Sequence, residues 1–183
     1  SAALGKLEIA LKNFSKNIHK IEKYYDFSIR QTILNEARDL KLVASNYHNR
    51  AYNNPKLLIY NLKNPINQLA AKIQLEGGAR IEGVALIKPE QLLGIKIDKV
   101  TQVEKGIIYT KEKGGKQGEV LVSLKTYAEL ENYLSLNSKF KINRQDYYND
   151  IKQAAIISKE VSEGSHGLRW NFAKRRMFEY GKA

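Results

Sequence analysis

Gly94-Ile95-Lys96-Ile97-Asp98, Gly106-Ile107-Ile108-Tyr109-Thr110 and Glu119-Val120-Leu121-Val122-Ser123 are three short runs rich in Ile and Val. Runs of this kind bounded by turn residues predict strands. Between the last two lies Lys113-Gly114-Gly115-Lys116, a glycine-containing turn that predicts a hairpin. On both sides the periodicity becomes helical. Upstream, Leu57 to Leu75 reads as helix with a break at Asn64-Pro65, because proline cannot donate a helix bond. Gly77-Gly78 ends it, and a short helix is predicted from Arg80 to Leu86. Downstream, helices are predicted over Lys125–Leu134, Asp146–Glu160 and Gly167 to about Tyr180. Helices, a small antiparallel sheet and helices again make an α+β layout that is mostly helical.

The N-terminal part reads differently. Leu4, Leu7, Leu11, Phe14, Ile18, Ile21 and Tyr25 alternate spacings of three and four, a narrow apolar seam on a helix. Ser28 is a plausible cap for a second helix, with Ile29, Ile33, Ala37, Leu40 and Val43 on one face. The polar stretch Asn49-Arg50-Ala51-Tyr52-Asn53-Asn54-Pro55 reads as a boundary. Two regions are therefore expected, residues 1–50 and 51–183.

Composition narrows the function. The 183 residues hold 31 Lys and Arg against 19 Asp and Glu, a net charge of +12, and the basic residues run along the whole length. A field of that sign attracts polyanions, nucleic acid first among them. There is no cysteine, so disulfides, thiolate zinc sites and cysteine nucleophiles are all excluded. The three histidines, His19, His48 and His166, lie far apart and show no metal-ligand spacing. Apolar stretches are short and broken by Lys or Glu, so neither a membrane-spanning helix nor a secretory signal is expected.

Three features could carry chemistry. Arg80 follows the Gly77-Gly78 break at a helix start. Lys113 sits in the hairpin turn, which lacks the spacing of a nucleotide-binding loop. Ser165-His166-Gly167-Leu168-Arg169 opens the last helix, which puts His166 and Arg169 on one side of a turn, near backbone amides that favour an anion. Taken singly, each has an ordinary explanation as a solvated charge. Their order is more telling. An arginine after a helix break, a three-stranded sheet with Lys-Gly-Gly-Lys in its hairpin, then His-x-x-Arg on a later helix resembles the catalytic domain of the tyrosine recombinases, the phage-integrase family. The stretch from Gln91 to Lys116 is also similar to that family's sheet region, and the resemblance covers roughly residues 55–183. In the family an acid often stands three places after the first arginine; here Glu82 stands two places after Arg80.

The resemblance implies Arg80, Lys113, His166 and Arg169 as catalytic residues, with Lys116, Lys174, Arg175 and Arg176 as DNA contacts. It implies site-specific recombination or integration through a 3′-phosphotyrosine intermediate, without metal or nucleotide cofactor. The expected partners are double-stranded DNA and further copies of the chain assembled on it, in the cytoplasm at the nucleoid. Tyr180 follows Arg169 on the same predicted helix, roughly 16 Å along its axis. A nucleophile must come within about 3.5 Å of phosphorus. The nucleophile is thus expected outside this chain, and the chain alone should bind DNA without cutting it. Residues 1–50 would form part of a core-binding or oligomerisation element. The alternative is a non-catalytic DNA-binding or assembly protein with a recombinase-like fold; RNA binding is weaker, since no RNP-type aromatic run is present.

Overall fold

The computed structural model describes residues 9, 10, 13, 29–40, 49–111 and 117–182. The chain divides into two compact units, Ser1–His48 and Asn49–Ala183. In the first, α1 runs Ile29–Asp39. All seven apolar residues of the seam from Leu4 to Tyr25, and Val43, lie outside the described residues.

The second unit begins with two helices that share one starting device. α2 (Pro55–Tyr60) and α3 (Pro65–Gly77) each open on proline, whose missing N–H costs nothing in a first turn. Each is capped by the preceding asparagine: Asn54 Oδ1 accepts from the Leu57 amide at 3.1 Å, and Asn64 Oδ1 from the Ile66 amide at 2.9 Å. The expected break at Asn64-Pro65 is present. The next helix, α4, is a single turn, Ile81–Val84, shorter than the run predicted from Arg80 to Leu86, and Arg80 is its N-cap.

The sheet is three-stranded and antiparallel in the order β1 (Leu92–Ile97), β2 (Glu104–Lys111), β3 (Gln117–Val122). Ile107 pairs with Leu121 and Lys111 with Gln117, so β2 and β3 form the expected hairpin up to its connecting segment. β1 is bulged between Leu92 and Ile95; there the Gly94 amide donates to the Tyr127 hydroxyl at 2.9 Å. Then come α5 (Leu124–Leu136), α6 (Arg144–Ile157) and α7 (Gly164–Tyr180).

The core collects on α3. Ala70, Ala71 and Ile73 are fully buried, as are Ile151 and Ala154 of α6, Leu168 of α7 and Ile108 of β2. Each large apolar side chain removed from water contributes about 1.5–3 kcal/mol. Gln74 is a fully buried polar residue in this core. Its Oε1 accepts from the Tyr147 hydroxyl at 2.7 Å and its Nε2 donates to the Ala79 carbonyl at 3.1 Å. A buried amide satisfied on both sides is a fixed strut, and this one ends at the residue before Arg80. Among the described residues no helix is long and apolar enough to cross a membrane.

Candidate active site

The site grows from the carboxyl end of α3. Gly78 closes that helix with φ +72°, the left-handed conformation that side chains disfavour, and its amide donates back to the Gln74 carbonyl at 3.0 Å. Glycine is also needed for space, because a Cβ here would lie 2.3 Å from the Phe172 ring of α7. Two arginines of α7 reach the end of α3. Arg169 Nε donates to the Gly78 carbonyl and Arg175 Nη2 to the Glu76 carbonyl, both at 2.7 Å. The negative end of a helix dipole favours cations at these positions. Two residues past Gly78 stands Arg80.

The amino end of α7 is held from the other side by Tyr52. Its hydroxyl donates to the Gly164 carbonyl at 2.8 Å and accepts from the Glu163 amide at 3.1 Å. Its backbone exchanges two bonds with the Asn171 side chain, at 3.0 and 2.7 Å. Gly167 admits this contact, since a Cβ there would fall 2.5 Å from the Tyr52 ring. The helix therefore starts at Gly164, three residues earlier than the periodicity suggested, and His166 lies inside its first turn.

These constraints bring three of the candidates together. Arg80, His166 and Arg169 line one open cavity of about 310 Å³, with Gln74, Ile81, Glu82 and Ser165. Partial burial, aided by the positive charges of Arg169, Arg50 and Arg80, lowers the pKa of His166 below its ordinary 6.5. The shift favours the neutral imidazole. Two arginine forks and a neutral imidazole around a small cavity can bind a tetrahedral anion and exchange a proton with it. Glu82, the offset acid, also lines the cavity and lies 4.0 Å from Arg144.

Lys113 and Lys116 fall outside the described residues. Lys174 is exposed. Arg175 is engaged by the Glu76 carbonyl and by Glu179 at 3.4 Å. The guanidinium of Arg176 grips Asp98 with both terminal nitrogens, at 2.6 and 2.7 Å, and Glu179 at 2.9 Å. It ties α7 to the end of β1. Tyr180 stacks on that same arginine at 5.1 Å and lines a different cavity, beside Asp98 and Lys105.

The boundary reading of residues 49–55 missed Tyr52 and Arg50. An aromatic in the middle of an otherwise polar stretch was the available signal.

The fold has counterparts among solved structures. The XerH site-specific recombinase bound to difH substrate, in a pre-cleavage complex, has a TM-score of 0.52 at 16% identity, covering 69% of this chain and 42% of that one. The same recombinase in a post-cleavage complex with palindromic difH substrate has a TM-score of 0.55 at 17% identity, covering 77% and 48%. The fold is tyrosine-recombinase-like. The chain spans less than half the length of these recombinases. No family model and no curated protein matches the sequence.

Proposed function

We propose that this chain holds the scissile phosphate in a DNA strand-cleaving and rejoining reaction of the site-specific recombinase type. It would act as one of several copies assembled on double-stranded DNA, in the cytoplasm at the nucleoid. The supporting observation is the convergence of Arg80, His166 and Arg169, from two ends of the sequence, on one cavity. Arg80 and Arg169 hold the two non-bridging oxygens, where rigid donors stabilise the charge that grows in the transition state by several kcal/mol. Neutral His166 accepts the proton of a tyrosine supplied from outside these 183 residues. The tyrosine oxygen bonds to phosphorus as the bond to the 5′ oxygen breaks, and Lys113 gives that oxygen its proton. A 5′ hydroxyl attacking the 3′-phosphotyrosine reverses the sequence and rejoins a strand. Tyr180 takes no part, because it is bound to Arg176 at a different cavity.

The test uses the chain as it is. It should bind duplex DNA, and Arg80→Gln should weaken binding roughly tenfold. With hydrogen peroxide as a small stand-in nucleophile it should nick the duplex, in a reaction lost in Arg80→Gln and in His166→Ala but kept in Tyr180→Phe. Binding without nicking would support a non-catalytic DNA-binding protein built on the same fold. Nicking without peroxide, lost in Tyr180→Phe, would overturn the assignment of the nucleophile.

A further inference from the structure

Arg50 belongs to none of the sequence features that suggested a site, yet its position is closely fixed. Two residues later, Tyr52 is bound to α7 and its N-cap Glu163 by four hydrogen bonds. The Arg50 carbonyl itself lies against the first turn of α7, only 2.9 Å from where a Cβ on Gly167 would be. Arg50 therefore crosses the helix next to His166, and its charge is among those acting on that imidazole. It is not among the residues that line the cavity, but its ion-pair partner Glu163 stands two residues before Ser165, which is. Its guanidinium is held loosely: Nε is 3.9 Å from Glu163 Oε2, with the two side chains 44% and 20% exposed. An ion pair of this length and exposure is worth little and is easily exchanged for a stronger anion.

We infer that Arg50 is a further phosphate-binding residue of this cleft, exchanging Glu163 for the backbone phosphate next to the one held by Arg80 and Arg169. The inference rests on the phosphate reading of the cleft. A phosphodiester offers an arginine fork a stronger, charge-assisted partner than a carboxylate at 3.9 Å. A strand crossing the cavity would bring its next phosphate past the start of α7, against which Arg50 lies. Glu163 then acts as a placeholder that keeps the guanidinium at the start of α7 while no strand is bound.

The experiment is a salt titration of binding to a short duplex of arbitrary sequence, followed by fluorescence anisotropy, for the 183-residue chain and four variants. Loss of one phosphate contact lowers the slope of log affinity against log salt by about 1 and weakens binding severalfold. Arg50→Gln should show that loss with an unchanged melting temperature, and Arg50→Lys should restore the slope. Glu163→Gln should tighten binding about threefold by removing the competing anion. Arg80→Gln serves as the reference for the cleft. If Arg80→Gln lowers the slope and Arg50→Gln does not, the role of Arg50 is overturned and the cleft reading stands. If neither changes it, or the unaltered chain does not bind the duplex, both fall. Unchanged or weaker binding in Glu163→Gln overturns the exchange.

Discussion

Arg169 Nε donates a 2.7 Å hydrogen bond to the carbonyl of Gly78, two residues before Arg80. One bond thus joins the two arginines of the cleft through a shared piece of backbone. Anything that moves Gly78 moves both.

Gly78→Ala is the direct check on that coupling. A side chain at φ +72° costs about 1–2 kcal/mol, and the Phe172 ring 2.3 Å away must shift as well. A total loss of about 2–4 kcal/mol in chemical denaturation is expected, together with weaker DNA binding. Gly118→Ala, where nothing lies within 4 Å, should change stability by less than about 0.5 kcal/mol.

Asp98 should carry the acid sensitivity of the fold. The paired hydrogen bonds from Arg176 hold its carboxyl well below its ordinary 3.8, helped by Thr101 and the Val100 amide. A carboxyl with a lowered folded pKa stabilises in full above its ordinary value, and that contribution is lost as pH falls below it. Asp98→Asn should therefore cost about 2–3 kcal/mol at pH 7. Its stability should also decline less steeply than that of the unaltered chain below about pH 4, as measured by acid unfolding.

Tyr52 should carry part of the alkaline sensitivity. Burial pushes its phenol up from 10.0 to about 12. Folding favours the protonated form, so its contribution is complete below pH 10 and is lost as pH rises towards 12. Tyr52→Phe removes the bonds to Gly164 and Glu163, which should cost about 1–3 kcal/mol at neutral pH. In exchange, the alkaline unfolding limb should become shallower, with Tyr147 left as a remaining contributor.

His166 should make anion binding depend on pH. Desolvation first, then the charges of Arg169, Arg50 and Arg80, lower its pKa from 6.5; an anion in the cavity reverses the electrostatic part. Binding then takes up a proton, so affinity for duplex DNA should rise as pH falls through and below 6.5. In His166→Ala that rise should disappear. Proton resonances of the imidazole, followed with and without DNA, should show the pKa moving upward on binding.

The elements were legible because their signals are local. The strand runs, the Pro55 and Pro65 starts and the Gly77-Gly78 stop each depend on residues close in sequence. The site was legible only in part. Arg80 and the His166–Arg169 pair are ordinary charges one at a time, and only their order, through its likeness to a family, joined them. The fate of Arg176 was hidden because its partner Asp98 belongs to a distant strand end, and nothing near Arg176 announces a buried carboxylate. The early start of α7 was hidden for the same reason, since the hydroxyl that fixes it comes from Tyr52.

The bond from Arg169 to Gly78 also gives the cleft a direction. A guanidinium can meet an anion along the edge shared by Nε and one terminal nitrogen, or along the edge between its two terminal nitrogens. With Nε occupied by a carbonyl, only the outer edge remains open. An oxyanion is then received from one side and in one orientation. The Gly78 carbonyl thereby sets the side from which any anion can approach Arg169.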